Sequence, residues 1–350
     1  MLGLNIGIDL GTTSVIVYVQ GKGIVMSEPS VVAFKTDSGR IMAIGKSASK
    51  MIGKCPDSIT VIRPLRDGVV SDFTVTEQML RFFIQKICGN RIFKPNIIVC
   101  MPSTVTSLER RTILDVITAS GAGKACLIEE PLAAAIGAGV DISHPRGIMI
   151  VDIGGGTSDA AIITMGSIAI SKSVKSAGNA LTESIMRYVR RERDVLIGEQ
   201  TAEQIKHTIG CAYLRKEEIA MVAKGKQYVS RMPISFEITS TEVYLAMREH
   251  INVLIEGIKA VLEDTPPELI SDLMYEGILL TGGGALLYGL DKAIEDATGI
   301  KTRVANDALN CVANGIGDVL VNLDFLADNG YLFKTRQDIT GVEEADNDSF

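Results

Sequence analysis

The chain has 350 residues, 46% hydrophobic and 22% charged, with 34 Gly and no Trp, which fits a globular protein able to bury more than one core and excludes collagenous, low-complexity and disordered classes. Its net charge of −7 argues against a nucleic-acid partner, since a phosphate backbone selects a basic face. Cys55, Cys88, Cys100, Cys126, Cys211 and Cys311 stand singly with no C-x-x-C pair, and read as reduced core residues rather than disulfide or zinc partners. No window reaches the ~18 apolar residues of a spanning helix, and no basic segment followed by an apolar stretch opens the chain, so the expected compartment is the cytoplasm.

The first predicted element is the strand Ile6–Asp9, followed by a Gly/Thr turn and a β-branched strand, Val15–Val19. Asn96–Cys100 reads as a buried strand, Ser107–Ser120 as a helix with Leu108 and Ile113 on its apolar side, and Leu132–Ile136 as the core of another helix. The opening pattern then recurs: the strand Ile148–Asp152, the turn Gly154–Thr157 and the strand Ala160–Thr164. A repeated strand, Asp, Gly/Thr turn and returning strand predicts two homologous halves, and strands alternating with helices predict an α/β architecture. Thr201 as N-cap, Gln204 three residues on and Gly210 as a stop predict a helix over 202–209. A longer amphipathic helix is expected over Val243–Leu262, halted by Pro266 and Pro267. The strand Gly277–Leu280 follows, then a third Gly-rich turn, 282–284, and a helical stretch over Ala285–Leu290. From Asp338 the chain turns acidic and polar, and reads as a mobile tail.

A Gly-rich turn after a strand can wrap backbone N–H groups around phosphate oxygens. Two such hairpins could pinch phosphates from both sides while Asp9 and Asp152 hold a hydrated Mg²⁺, and the turn 282–284 suits a nucleoside or an α-phosphate. The plain alternative is that all three turns only connect strands tightly. Neither G-x-G-x-x-G after the first strand nor a P-loop occurs. Glu129 and Glu130, between a strand and a helix, offer an acidic group to position water for hydrolysis, or else a favourable contact with the helix dipole.

These residues resemble the actin, sugar kinase and heat-shock ATPase superfamily in the phosphate loops Asp9–Thr13 and Asp152–Thr157. Within it, Glu28–Ala33, Ile62–Val69, Glu109–Arg111, Ile128–Gly137 and Leu280–Leu287 resemble segments of the MreB family in the same order. The resemblance covers roughly residues 4 to 325. It implies an α/β, actin-like fold with two homologous halves, each a mixed sheet flanked by helices, and a nucleotide cleft between them. Implied subdomains are 1–32 with 66–145 and a C-terminal helix at about 308–330, then 33–65, then 146–180 with 242–307, and 181–241, with 331–350 as a flexible acidic tail. Implied contacts with ATP or ADP are Asp9, Gly11, Thr12, Thr13, Ser14 and Val15 in the first loop, and Gly154, Gly155, Gly156 and Thr157 in the second. Glu203, Gln204, Ile205 and Lys206 with Gly282, Gly283, Gly284 and Ala285 match the adenosine side, although Lys206 alone reads as a solvated helix charge. Glu130 matches the water-positioning glutamate, assisted by Thr157 and Asp152; Asp9 and Asp152 would hold Mg²⁺ through water.

The chain departs from the family at Thr12-Thr13-Ser14-Val15, where Thr-Ala-Asn-Thr is usual, at Ser158-Asp159, where Thr-Glu is usual, and at Asn179, where an acid is usual. These changes bear on the rate of hydrolysis. Arg91-Ile92-Phe93-Lys94 matches a short membrane loop, two apolar residues between cations; Ile92 and Phe93 could equally cap the core. Arg187, Arg190, Arg191 and Arg193 read as a solvated helix face. The implied function is a slow, polymerisation-linked ATP hydrolase on the inner face of the cell membrane, with itself (double antiparallel filaments), an anionic membrane surface and cell-shape or wall-synthesis proteins as partners. A monomeric kinase or chaperone ATPase and a nucleotide-binding scaffold with little turnover are the alternatives.

Overall fold

A computed structural model of the protein describes residues 3–89 and 93–321. The chain divides into two compact units, one formed by 1–144, 165–168 and 310–350, the other by 145–164 and 169–309.

The first unit opens with β1 (Asn5–Leu10), β2 (Ser14–Val19) and β3 (Gly23–Pro29). Next come β4 (Val32–Lys35), β5 (Ile41–Ile44), α1 (Lys46–Ser49), β6 (Ile59–Ile62), β7 (Leu65–Arg66) and β8 (Val69–Val70). It continues through α2 (Phe73–Cys88), β9 (Asn96–Met101), α3 (Ser107–Ala119), β10 (Lys124–Glu129) and α4 (Glu130–Gly137). The main sheet has the order β10-β9-β1-β2-β3, and β5-β4-β6 form a smaller one. β1 pairs antiparallel with β2 and parallel with β9. Ile6, Ile8, Val15, Val17, Ile97 and Val99 bury their side chains against Leu80 and Phe83 of α2 and Ile113 and Ile117 of α3 in a single apolar cluster. Each such side chain withdrawn from water contributes roughly 1.5–3 kcal/mol before chain entropy is counted.

The second unit repeats this plan with β11 (Ile148–Ile153), β12 (Ser158–Thr164) and β13 (Ser167–Val174). α5 (Gly178–Arg193), β14 (Val195–Leu196), α6 (Glu199–Ile209), β15 (Ala220–Gln227) and β16 (Pro233–Thr239) follow. The unit ends with α7 (Ser240–Glu263), α8 (Pro267–Glu276), β17 (Ile278–Thr281), α9 (Leu290–Thr298) and β18 (Thr302–Val304). Its main sheet has the order β13-β12-β11-β17-β18, and β14-β15-β16 form a second sheet. Since β11 pairs antiparallel with β12 and parallel with β17, the two main sheets share one topology: an antiparallel meander extended on its first strand by two parallel strands. α7 starts with a capping box in which Thr239 and Glu242 satisfy each other's backbone N–H.

The chain returns to the first unit in α10 (Cys311–Val321), which crosses α4 at backbone contact. A Cβ on Gly137 would stand 1.9 Å from the Cys311 carbonyl oxygen, and one on Gly315 would stand 1.8 Å from that of Ala133. The close crossing therefore needs a glycine on both helices.

Several sequence expectations change. Leu108 is 73% exposed, because five residues separate it from Ile113 and a helix turns by 100° per residue, placing them on different faces. α6 begins at Glu199 with Gly198 as its N-cap, so Thr201 lies inside the first turn and caps nothing; Ala202, Ile205 and Ile209 point inward and set its phase. In place of a helix over 285–290 there is a 3-10 turn, Gly283–Leu286, and then α9 after Gly289, whose φ of 72° breaks any continuous helix. All six cysteines are free, but Cys55 and Cys88 are only half-buried. The C-terminal helix is described to Val321; its expected extension to 330, the tail and Ile92 lie outside the described residues.

Gly315→Ala should lower thermal stability by about 3 kcal/mol, read by circular dichroism melting. The control is Gly299→Ala, where a Cβ meets no atom within 4 Å but φ is 71°, so that only backbone strain is tested. Equal losses in the two variants would contradict the crossing constraint.

Candidate functional site

In the first unit the β1–β2 turn is closed by Gly11 N–H donating to the Ser14 carbonyl at 3.0 Å. Ser30 braces the turn twice: its hydroxyl donates to the Gly11 carbonyl at 2.6 Å and its N–H to the Thr13 carbonyl at 3.0 Å. The Thr12 hydroxyl is buried and accepts from Gly68 N–H at 2.9 Å, leaving its own proton to donate. Thr13 is exposed, whereas the Val15 side chain is sealed in the core; of Val15 only the backbone is available to a ligand.

The β11–β12 turn copies this arrangement. Gly154 N–H donates to the Thr157 carbonyl at 2.9 Å, and Leu10 opposite Val15 matches Ile153 opposite Ser158. Asp9 and Asp152 thus stand at equivalent places, one residue before the end of each first strand. The second turn sits on the start of α5: Gly178 N–H donates to the Gly154 carbonyl at 3.1 Å and Asn179 N–H to that of Gly155 at 2.8 Å.

The Asp152 carboxylate is 6% exposed and accepts from the Thr281 hydroxyl at 2.7 Å. Burial pushes its pKa up to about 6; the Thr281 hydrogen bond pulls it down, and the charge of Asp159, directly across the strand pair, pushes it up again. Thr157 is buried close by on the same turn.

Two further predicted segments meet around this turn. Lys206 Nζ donates to the Gly178 carbonyl at 2.9 Å, to the Thr182 hydroxyl at 2.9 Å and to Glu203 Oε2 at 2.8 Å. Thr182 also donates to Glu203, and His207 Nε2 lies 3.0 Å from Glu203 Oε1. Burial would raise the Glu203 carboxyl, but the Lys206 charge, with hydrogen bonds from Lys206 and Thr182, outweighs it and holds the group below the usual carboxylate range. Lys206 is therefore no free solvated charge. On the same helix Ile205 is buried in the core and Gln204 is exposed. From the other side, a Cβ on Gly282 would fall 2.5 Å from the Ile153 carbonyl oxygen and one on Gly284 2.3 Å from the Ile153 side chain. Gly282 and Gly284 are half-buried, Gly283 is exposed and Ala285 is buried. In the second unit, then, the Gly154–Thr157 turn, the Glu203–Lys206 pair and the Gly282–Gly284 turn form one contiguous group.

In the first unit Glu130 is the first residue of α4 and is 8% exposed. Glu129 takes a different part, pairing with Arg110 at 3.3 Å. Phe93 is 51% exposed, which corrects the reading of it as a cap on the core. Arg187, Arg190, Arg191 and Arg193 are all exposed.

Sequence reading did not single out Thr182, Thr281, Ser30 or Gly68. Each reaches its partner across 19 to 129 positions of chain, and nothing in the neighbouring residues signals that partner.

The profile of the MreB/Mbl protein matches residues 3–328. The chain belongs to the MreB/Mbl family. The cell shape-determining protein Mbl of Bacillus subtilis is 46% identical over 93% of this chain and 98% of its own length. The cell shape-determining protein MreB of Escherichia coli K12 is 43% identical over 93% and 95%. The crystal structure of MreB5 of Spiroplasma citri bound to ADP has a TM-score of 0.89 at 36% identity, covering 93% of this chain and 99% of that one. Its complex with AMPPNP also scores 0.89, covering 94% and 99%. The MamK double helical filament, at 20% identity and a TM-score of 0.77 over 90% of this chain and 98% of that one, shares the fold. The expected α/β, actin-like fold is borne out.

Asp152→Asn removes a charge whose burial costs stability. Because the folded pKa of about 6 exceeds the ordinary carboxyl value of 3.8, Asp152 favours folding most below pH 4 and loses that contribution as pH rises through 6. The variant should match the wild type in unfolding free energy near pH 4 and exceed it above pH 7 by at most about 3 kcal/mol, read by denaturant titration at each pH. A difference that is constant with pH would contradict this assignment.

Proposed function

We propose that this MreB/Mbl protein is a cytoskeletal ATPase that binds ATP with Mg²⁺ through both repeated hairpins and assembles into membrane-associated filaments governing cell shape. The observation that carries the reading is the pair of identically paired hairpins, each with its Gly N–H bond and preceding Asp. Support comes from Spiroplasma citri MreB5, crystallised with ADP and with AMPPNP, and, for assembly, from the fold shared with the MamK filament.

In this reading the amides of Gly11–Ser14 and Gly154–Thr157 hold the phosphates, and Glu203, Lys206 and the Gly282–Ala285 turn hold the nucleoside. The donors suit Mg²⁺: Asp152 is a buried carboxylate whose charge is costly without a cation, and Asp9 supplies a second hard oxygen ligand. Among the described residues no group of three or more His, Cys, Asp or Glu forms a metal cage, so phosphate oxygens and water would complete the shell. Mg²⁺ would neutralise phosphate charge. Glu130 orients the attacking water, with Thr157 beside the phosphate it attacks. Phe93, exposed next to Lys94, enters the surface of an anionic membrane, and the filaments, double and antiparallel, lie on its inner face with cell-shape or wall-synthesis proteins.

A second reading, a nucleotide-binding scaffold with little turnover, is favoured by Thr12, whose hydroxyl accepts from Gly68 N–H and so has its own proton as its remaining donor, and by the buried Val15. Both reduce the polar groups the first turn presents. Glu130→Ala separates the readings: ATP affinity should stay within about threefold while phosphate release falls at least ~10-fold. Unchanged release in the variant removes Glu130 from the chemistry, and a wild type that binds ATP without releasing phosphate favours the scaffold. For the membrane contact, Phe93→Ser should reduce pelleting with anionic vesicles without lowering ATP affinity; equal pelleting would contradict the role of Phe93.

A further inference from the structure

Within the second unit, the segment that leaves α6 and the segment that follows the Gly282–Gly284 turn are stacked on each other by two cation–ring contacts. The Arg215 guanidinium lies 3.8 Å from the centroid of the Tyr288 ring, and the Lys292 ammonium 4.6 Å from that of Tyr213. Each segment supplies one cation and one ring. Backbone joins them as well: Ala212 N–H donates to the Tyr288 carbonyl at 2.8 Å, and Cys211 and Tyr288 form a parallel bridge. Arg215 is tied at its other end, donating from Nη2 to the Gly210 carbonyl at 3.3 Å. Gly289 lets the two segments close, since a Cβ there would stand 2.6 Å from Tyr213 Cβ.

The place of this junction gives it a use. It begins four residues after Lys206, at Gly210, and three residues after Gly284, at Leu287. The two elements it joins are otherwise anchored to different parts of the unit. Lys206 ties α6 to the Gly178 carbonyl and Thr182 hydroxyl of α5, whereas the Gly282 turn continues β17 of the main sheet. Closure of the junction therefore bears directly on the distance between the Glu203–Lys206 pair and the Gly282–Gly284 turn. Tyr288 is 48% exposed, so its ring does little for the core that Leu or Phe would not do.

We propose that the Arg215–Tyr288 and Lys292–Tyr213 stacks are positioning elements of the nucleoside site, holding α6 and the Gly282–Ala285 turn at the spacing that selects the base. The inference rests on the nucleotide reading above and deepens it. Two walls held at a fixed spacing distinguish ligands by the size of the group between them, which a grip on the phosphates alone does not do. A cation–ring stack at a half-exposed place corresponds to roughly a two- to fivefold change in an equilibrium constant. Loss of a stack is therefore read as a loss of selectivity and not as a loss of binding.

The test is calorimetric titration of the full chain with Mg-ATP and Mg-CTP, which share one triphosphate and differ in the size of the base, for the wild type, Tyr288→Leu, Arg215→Met and Tyr288→Phe. The wild type should prefer ATP. Tyr288→Leu and Arg215→Met should each bind ATP about two- to fivefold more weakly, with a smaller loss for CTP, whose base spans less of the site, so that the ATP/CTP preference shrinks. Tyr288→Phe keeps the ring face under Arg215 and should retain the wild-type preference. Equal losses for both nucleotides would make the stacks structural only and overturn the proposal, as would a wild type with no preference. A wild type that binds neither nucleotide defeats the nucleotide reading and this inference together. One that prefers ATP, with the preference unchanged in Tyr288→Leu, defeats this inference alone.

Discussion

One backbone hydrogen bond, made twice, underlies the rest of the structure: a glycine N–H closing a hairpin turn onto the carbonyl three residues on, at Gly11–Ser14 and at Gly154–Thr157. It fixes the register on either side, and register fixes which face each side chain takes. Asp9 and Asp152 are thereby set at the same step before each turn while the residues on either side enter the core. The parallel neighbours, β9 on β1 and β17 on β11, then extend each sheet from the strand that carries the aspartate.

The surroundings of the two turns differ in a way that assigns them different work. The first is braced by Ser30 and Gly68, with the buried Thr12 tied in. The second rests on the N-terminus of α5 and adjoins the Glu203–Lys206–Thr182 network and the Gly282–Gly284 turn. Its Asp152 keeps a carboxylate in a place where burial disfavours charge, a destabilising arrangement of the kind expected where a cationic ligand offsets the cost. The hydrogen bonds of Lys206 to Glu203 and Thr182 fix the orientation of the polar groups on this face of α6.

Much of this was legible because it is local. Each Asp, its turn and its returning strand lie within about a dozen residues, so the duplication could be read directly from the sequence, as could the helices whose apolar residues recur every three or four positions. Misreadings arose where a local pattern had more than one structural solution. Thr201 and Gln204 have capping-box spacing, yet the helix starts at Glu199 because the inward phase of Ala202, Ile205 and Ile209 is continuous with that start. The stretch after Gly284 looked helical until Gly289 took a left-handed conformation. What stayed hidden was contact over long separations: Thr281 on Asp152, Thr182 beneath Lys206, and the paired glycines of α4 and α10.

The central claim is that both hairpins serve one nucleotide, and the most direct measurement is the affinity of Asp9→Asn for Mg-ATP, titrated against the wild type and repeated with EDTA. Asp9 belongs to the first unit, whereas the Glu203–Lys206 pair and the Gly282–Gly284 turn belong to the second. The account predicts at least a ~10-fold weaker Mg-ATP affinity, with the difference shrinking once Mg²⁺ is chelated. An Asp9→Asn protein that binds Mg-ATP as tightly as the wild type would contradict it.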